Sequence, residues 1–455
     1  MTEDAREPEE DSRPISRRQR RQQQQVARRA RRRRLLGSVG FGTAIVLLIA
    51  AIPVLGLVGR NLIKNSSDGK ILTNTSDPKA PGYEALVDPT PTALVVQTDP
   101  DGKVNSATVL ALGSGNRGGG SVILVPLGTR LREPGAGIDR LRSAYEFGGV
   151  KILRDQVGSL LGIGFGEVIE LGNARWAELT RPVGSVTLDN PDTVTAADGT
   201  EFPSGNLTLT PDEVGPFLAA TNGNESDINR LVRQQLFWQA WLAQLAARGD
   251  GSNLVPGEAA TGMSRFARTL AKGTSDVKVL AVADNPDSPG PPFVLDEKQA
   301  RSQVSTAVPF PVGAFPGQRT RVRLLNGVRA GPVPAAVTDS VALGGGEIIA
   351  LGNADEFGQT ETRIEYYAKA TRDRIRVLRS ALGVGKLVFK PQPDQSVDAT
   401  IIVGSDLQKA VAKRSTTAPT TPTTAGSSTS SSSPTTAESS SRQGSGTSAE
   451  EGSSG

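Results

Sequence analysis

The longest apolar run of the chain, residues 35–59, constrains its organisation more than any other feature. The run, LLGSVGFGTAIVLLIAAIPVLGLVG, is uncharged and lies between the arginine block 31–34 and Arg60. At about 1.5 Å per residue, a helix of this length crosses the ~30 Å hydrocarbon core of a bilayer. A cleaved signal peptide would have a shorter apolar region of roughly 7–15 residues, and a buried core helix is the other alternative. The run therefore predicts a single-pass transmembrane anchor.

Basic residues flank this run unevenly. Residues 1–34 contain twelve arginines and six acidic residues, whereas Arg60 and Lys64 are the cations that follow nearby. The positive-inside bias places the N-terminus in the cytoplasm and the bulk of the chain outside the cell membrane. The tail carries +6 and the whole chain +4, which leaves −2 for the remainder. We expect the tail to fix topology and attract anionic lipid rather than bind nucleic acid, because it has no aromatic residues.

The chain contains no cysteine and no histidine. This composition excludes disulfides, Cys/His zinc sites, thiol nucleophiles and every Ser-His-Asp arrangement. Any catalysis would have to use carboxylates, arginines, hydroxyls or a hard cation such as Mg²⁺.

Short aliphatic runs begin at Thr92 and alternate with helical patterns. TALVVQT, TVLAL and SVILVPL are too hydrophobic for half-exposed strands and predict the centre of a sheet covered on both faces. Helical spacing follows at 150–162, where Gly162 supplies a stop, and EVIEL at 167–171 returns as a strand. The alternation predicts an α/β layered domain over residues 92–283.

Gly113, Gly115 and Gly118 form a GxGxxG pattern between two of these runs. A dinucleotide fingerprint needs a strand before it and a helix after it, so that the phosphate meets the helix N-terminus. Here the strand-like SVILVPL follows at once. We therefore predict a hairpin turn instead of a nucleotide site.

A further helix is predicted to begin near Asp227, in the segment DINRLVRQQLFWQAWLAQLAAR. Its predicted buried stripe consists of Ile228, Leu231, Val232 and Leu236. Arg230, Arg233 and Gln234 would project together at i, i+3 and i+4. Two roles are open for Arg230 and Arg233. They bind an anion, or they form structural ion pairs with acids such as Asp227 and Glu225 at the end of the helix.

Composition shifts divide the rest of the chain. A Pro- and Gly-rich stretch predicts a linker, a second set of strands and helices predicts a small α/β domain, and the Ser/Thr-rich end predicts disorder. The predicted organisation is a basic tail at 1–34, an anchor at 35–59, a spacer at 60–91, a layered domain at 92–283, a linker at 284–318, a second domain at 319–407 and a disordered tail at 408–455.

The order of these motifs resembles the LytR-CpsA-Psr family of membrane-anchored enzymes. The resemblance runs from TVLAL and SVILVPLGTRL through RLRSAYEFGG to EVIEL, and DINRLVRQQ is similar to the family's D-x-x-R-x-x-R-Q helix. Residues 322–407 resemble the LytR C-terminal domain often attached to such proteins. The resemblance implies an α/β/α domain that transfers glycopolymers from a polyprenyl pyrophosphate carrier onto peptidoglycan. Its arginines and aspartates would hold pyrophosphate and Mg²⁺ beside an apolar cleft.

Several positions depart from the family pattern. Leu127 and Gly128 stand where the family has Arg-Asp, Ala107 stands where it has Asp, and Arg142 stands where it has Asn. The matching positions are Asp99, Tyr145, Arg230, Arg233 and Gln234. Arg140 and Arg142 would restore positive charge from new positions. The candidate anion or pyrophosphate site is therefore Arg230, Arg233, Gln234, Arg140, Arg142 and Asp99.

These departures predict an extracytoplasmic protein that binds rather than transfers. Removing several transition-state donors that act together abolishes most catalysis. The expected partners are the membrane and a lipid-linked glycan, a wall polymer or an active relative, with no cofactor. The alternative is a working transferase with a rebuilt, Mg²⁺-dependent site. A third hypothesis is a structural envelope protein in which the second domain binds.

Overall fold

The computed structural model describes residues 76–113, 118–135, 138–223, 225–249, 254–286, 290–391 and 396–417. The predicted anchor at 35–59 and the basic tail at 1–34 lie outside these ranges. Within them, no helix combines the length and apolar character that a membrane crossing requires.

Strands and helices alternate along the described chain. The strands are β1 (Glu84–Leu86), β2 (Thr92–Thr98), β3 (Val104–Leu112), β4 (Gly120–Val125), β5 (Arg130–Gly135), β6 (Ile138–Arg140), β7 (Glu167–Leu171), β8 (Val186–Asn190), β9 (Val194–Thr195), β10 (Glu201–Phe202), β11 (Gly205–Leu209), β12 (Ser275–Val279), β13 (Val282–Asp284), β14 (Phe293–Leu295), β15 (Thr320–Asn326), β16 (Gly346–Asn353), β17 (Arg363–Tyr366), β18 (Lys386–Phe389) and β19 (Ala399–Val403). The helices are α1 (Leu141–Leu161), α2 (Asn173–Thr180), α3 (Pro211–Ala219), α4 (Asp227–Ala247), α5 (Gly262–Lys272), α6 (Glu297–Ala307), α7 (Ala335–Leu343), α8 (Arg372–Leu382) and α9 (Ser405–Thr417).

The first sheet has the strand order β12-β4-β3-β2-β7. β12 pairs parallel with β4, β2 pairs parallel with β7, and β3 runs antiparallel between β4 and β2. The carboxyl ends of β2, β4, β7 and β12 therefore share one edge, which we call the carboxyl edge. In α/β sheets, ligands commonly bind at such an edge.

Helices cover both faces of this sheet, as the continuous apolar strands predict. One core contains Val95, Leu110 and Leu124 together with Trp176, Phe217 and the α4 side chains Phe237 and Trp241. The other contains Val96, Val109 and Ile123 together with Leu153 and Val157 of α1 and Ala300 and Val304 of α6. The prediction of an α/β layered domain is thus confirmed.

The strands on either side of the glycine-rich stretch form a hairpin, as the sequence predicts. β3 and β4 pair antiparallel from Ala107↔Val125 to Leu112↔Gly120. The element that follows the glycine-rich stretch is the strand β4 and not a helix, so the geometry of a dinucleotide fingerprint is not formed. The predicted stop at Gly162 is also present, because this residue caps α1 with φ 69° in the left-handed region.

The second sheet has the order β1-β16-β15-β19-β17-β18. Its strands and the helices α7, α8 and α9 share one core, which includes Leu324, Ile401, Val341, Leu378 and Leu407. A second region of packed strands and helices is therefore present where the sequence predicts one.

Three predicted boundaries require correction. β1 lies inside the predicted spacer 60–91 and pairs antiparallel with β16 of the second sheet. α6 lies inside the predicted linker 284–318, where Ala300 and Val304 are buried against the first sheet. α9 extends into the predicted disordered tail 408–455, because Val411 is buried in the second core.

Arg319 joins the C-terminal end of α1, which packs on the first sheet, to that of α7, which packs on the second. Its Nε donates to Gly162 O at 2.7 Å, beyond the end of α1. Its Nη1 donates to Ala342 O at 3.1 Å, in α7, and to Gly346 O at 2.7 Å. Because these contacts and β1 both join the two regions, deleting residues 319–407 would expose surface of the first region as well.

Candidate functional site

The N-terminal turn of α4 brings an acidic side chain to the carboxyl edge. Ser226 caps the helix, and its hydroxyl accepts from Asn229 N at 3.4 Å. Asp227 follows in the first turn, where a negative side chain is favoured by the exposed N–H groups. The cap thereby fixes the position from which Asp227 reaches across to the strands.

Asp227 accepts hydrogen bonds from three separate elements. Gly128 N, just beyond β4, donates to Oδ2 at 2.8 Å. Arg142 Nη2 of α1 and Arg230 Nη2 of α4 both reach Oδ1, at 3.3 Å and 2.6 Å. Arg142 Nη1 also donates to Val104 O at 2.8 Å, at the start of β3. We call Arg142, Asp227 and Arg230 the edge cluster.

The edge cluster carries more positive than negative charge. Two guanidinium groups share one carboxylate, and the Arg142 side chain is 31% exposed while that of Arg230 is 6% exposed. Burial lowers the pKa of Arg230, and Asp227 opposes this effect. Arg230 Nε is buried and has no hydrogen-bond partner among the described residues. Arg233 Nε and four further arginine Nε atoms of the described residues share this state, so the surplus positive charge of the cluster, and not this atom, is what favours an anion.

Arg233 lies one turn further along α4 but has a different environment. Its guanidinium bonds both oxygens of Glu225, with Nη2 to Oε2 at 2.8 Å, and Nη1 also reaches Asp192 Oδ2 at 2.8 Å. Nη2 donates further to Ala220 O at 3.0 Å. The side chain is 1% exposed. These contacts match the structural pairing that the sequence left open, and they leave Arg233 closed to an external anion.

The prediction of which α4 side chains are buried is partly wrong. Gln234 is buried, and its Nε2 donates to Leu218 O at 2.8 Å. Val232, predicted to be buried, is 38% exposed. Arg233 and Gln234 point inward because carboxylates and a carbonyl from outside the helix meet them there, whereas Arg230 pairs with Asp227 of its own helix.

Arg140 and Asp99 lie apart from these contacts. Arg140 is exposed, and its Nε lies 3.7 Å from Asp139 Oδ1. Asp99 accepts from Lys103 N at 2.8 Å and so closes the β2–β3 turn. Burial raises the pKa of Tyr145, and the charges of Glu170 and Asp99 add to this effect. Of the six predicted site residues, Arg142 and Arg230 are therefore the two that meet on one carboxylate.

Three of the four positions that depart from the family pattern, Ala107, Leu127 and Gly128, are inaccessible. Ala107 and Leu127 are buried in the core beneath α1. Gly128 is covered by Pro292, because a Cβ at this glycine would lie 2.7 Å from Pro292 Cγ. Phe293, the next residue, bridges to Thr129. The segment predicted as a linker thus packs against the carboxyl edge.

Two features of the site are missing from the sequence-based prediction. Asp227 was expected only as a pairing acid, whereas it joins three elements. Asn105 is buried with both side-chain polar atoms unpartnered among the described residues, and it lies at a β-bulge between the β2 and β3 pairings. Bulges re-aim side chains near sites, but no local motif signals this one. In the described ranges, no group of three or more acidic side chains could hold a metal ion.

Comparisons with known proteins give distant structural matches. No protein-family model matches the chain, and no curated protein does. TagV of B. subtilis is 16% identical, with a TM-score of 0.40, and the match covers 49% of this chain and 97% of that one. A LytR-Csp2A-Psr enzyme from Actinomyces oris is 16% identical, with a TM-score of 0.39, over 50% and 96%. TagT bound to LIIa-WTA is 16% identical, with a TM-score of 0.38, over 52% and 94%. These values assign no activity to the chain.

Proposed function

We propose that the protein is a non-catalytic envelope module that binds a phosphate-bearing glycan, either lipid-linked or in the wall polymer, at the carboxyl edge of the first sheet. The observation that supports this most directly is the edge cluster. Arg142 and Arg230 converge on Asp227 with a surplus positive charge. Guanidinium groups match phosphate oxygens in geometry and charge.

Binding is favoured over transfer by what surrounds the cluster. Leu127 and Ala107 belong to the core, and Pro292 covers Gly128. The motif comparison places charged groups of the family at these three positions. One transition-state donor typically contributes about 10²–10³-fold to kcat, so losing several leaves recognition without efficient chemistry.

The cellular setting of this proposal comes from the sequence. A membrane anchor at 35–59 with a cytoplasmic basic tail would hold the described residues outside the membrane. A lipid-linked glycan, a wall polymer or an active relative would then be within reach, whereas nucleic acid in the cytoplasm would not be.

Calorimetry on the full chain in neutral-lipid nanodiscs tests the proposal. Pyrophosphate and geranyl pyrophosphate would be titrated with and without Mg²⁺. We expect Arg142→Ala to weaken binding about tenfold, or about 1.4 kcal/mol, because it removes one charge-assisted donor. Arg140→Ala is the matched control, since this neighbouring arginine pairs with Asp139 away from Asp227. Equal binding by the two variants, or no binding by the parent, would contradict the proposal.

A working transferase is the second candidate, favoured by the same convergence of Arg142 and Arg230. It predicts Mg²⁺-dependent release of phosphate from a polyprenyl pyrophosphate substrate, or transfer of its glycan to peptidoglycan. Such turnover by the parent, lost in Arg142→Ala and kept in Arg140→Ala, would replace the binding proposal. Arg230 and Arg233 together are poor targets, because removing Arg233 would leave Glu225 buried and unpaired.

A further inference from the structure

A cavity of about 260 Å³ lies between the two sheets' helical layers, away from the edge cluster. Its walls come from the last turn of α1, from α6, from the end of α7 and from Val377 of α8. The volume lies slightly below the roughly 300–1,000 Å³ typical of ligand sites. A small ligand fits this size.

Positive charge predominates around the cavity. Arg132, Arg301 and Arg319 line it. Glu297, at the start of α6, pairs with Arg301 at 2.7 Å and with Arg132 at 3.4 Å. Glu347 acts on Arg319, so three guanidinium groups are set against two carboxylates. Arg319 is held in place by the carbonyls of Gly162, Ala342 and Gly346 through Nε and Nη1.

Burial lowers the pKa of Arg319 to about 10, and Glu347 opposes this effect. The side chain thus stays cationic at neutral pH. A fixed, partly desolvated cation at the wall of a cavity favours an anionic ligand group, because it interacts more strongly there than in bulk water.

The remaining wall is partly apolar, and Ser159, Ser305 and Gln318 are its polar side chains. Leu295 and Val304 line the interior, and Leu343 and Val377 lie at the opening, where they are 40% and 60% exposed. Hydration of exposed aliphatic groups is unfavourable. A hydrocarbon chain that packs against them at the opening of the cavity would remove this apolar surface from water.

We propose that this cavity binds an anion that carries a short apolar chain, with its phosphate or carboxylate head near the arginines and its chain against Leu295, Val304, Leu343 and Val377. This is a second site, independent of the edge cluster and of the function proposed for it.

Octyl phosphate is the probe, titrated by calorimetry into the full chain in phosphatidylcholine nanodiscs. We expect Val377→Asp to weaken binding at least tenfold, because it places a negative charge at the opening, and Arg301→Gln to weaken it several-fold. Arg376→Gln is the matched control. It breaks a comparable exposed pair with Asp373 on the same helix, and Arg376 is not part of the cavity wall.

Three results would overturn the proposal. The first is equal binding of neutral octyl glucoside, which would mean apolar adsorption alone. The second is equal binding of inorganic phosphate, which would mean an anion site without a chain. The third is octyl phosphate binding that Arg142→Ala abolishes and Val377→Asp leaves intact, which would place the probe at the edge cluster. Including phosphatidic acid in the nanodiscs separates the sources, since displacement assigns a membrane lipid and no displacement a soluble amphiphile.

Discussion

Arg230 and Arg233 lie one helical turn apart on α4, and both are buried, yet their surroundings give them different roles. Arg233 meets two carboxylates, Glu225 and Asp192, and a carbonyl. Arg230 shares the single carboxylate of Asp227 with Arg142. The first set is negative in sum and the second positive. The ratio of acids to arginines, rather than burial, therefore separates a structural ion pair from a site that can take an anion.

Removing Glu225 is expected to have the largest effect on this comparison. Glu225→Gln would leave the nearly inaccessible Arg233 with the half-exposed Asp192 as its remaining acid. Breaking a buried pair by removing one partner strands a charge, so we expect a loss of about 3 kcal/mol in the free energy of unfolding. Urea denaturation of the full chain measures it.

The exposed pair Arg175–Glu178 supplies the control for this variant. Glu178→Gln should change the free energy of unfolding by no more than about 0.5 kcal/mol, because exposed pairs contribute little. Equal losses for the two variants would remove the structural role assigned to Glu225.

Asp227→Asn tests the other half of the comparison, with a smaller effect on stability. Asparagine can still accept from Gly128 N, but Arg142 and Arg230 would lose their shared carboxylate. We expect a loss of about 2 kcal/mol in the free energy of unfolding, since each charge-assisted hydrogen bond contributes roughly 1.5–3 kcal/mol. Pyrophosphate binding should tighten, because the competing carboxylate is gone. Weaker binding by a folded variant would mean that Asp227 itself is needed to hold the ligand.

Glu84→Gln extends the comparison to a looser buried pair and should have the smallest effect. Glu84 of β1 lies 3.5 Å from Arg323 Nε, and burial raises its pKa from the ordinary 4.5 to about 7, with Asp355 adding to the rise and Arg323 opposing it. At pH 7 about half of the carboxyl groups are then neutral, as glutamine is. We expect a change within about 1 kcal/mol at that pH.

The pH dependence of the free energy of unfolding tests this variant better than a measurement at one pH. Because the folded pKa exceeds the unfolded one, the stability that Glu84 contributes is fully present below about pH 4.5 and is lost as the pH rises through 7. Glu84→Gln should therefore flatten the decline in the free energy of unfolding between pH 5 and 8. An unchanged slope would mean that another group causes the decline.

Sequence patterns predict the strands and helices well where the apolar signal is local. TALVVQT forms β2, the strands on either side of the glycine-rich stretch form a hairpin, and EVIEL forms β7. Each of these depends on side chains within one element and on turn residues beside it.

Prediction fails where distant residues decide the structure. The buried face of α4 was predicted incorrectly because Glu225, Asp192 and the Leu218 carbonyl bind polar side chains in the interior. β1 has three residues and forms through pairing with Gly352, Leu351 and Ala350, far along the chain. α6 carries few apolar residues, so its helix escapes a hydrophobic-pattern search although Ala300 and Val304 are buried.

The order of strands in the second sheet has a consequence for how the protein is made. β19, the last of the described strands to leave the ribosome, lies between β15 and β17, so the three strands β1-β16-β15 and the two strands β17-β18 remain separate until it arrives. The sheet has high contact order, and such non-local pairing is slow to form. A chain that terminates before Ala399 would therefore release two unfinished half-sheets with open edges, a form prone to aggregation.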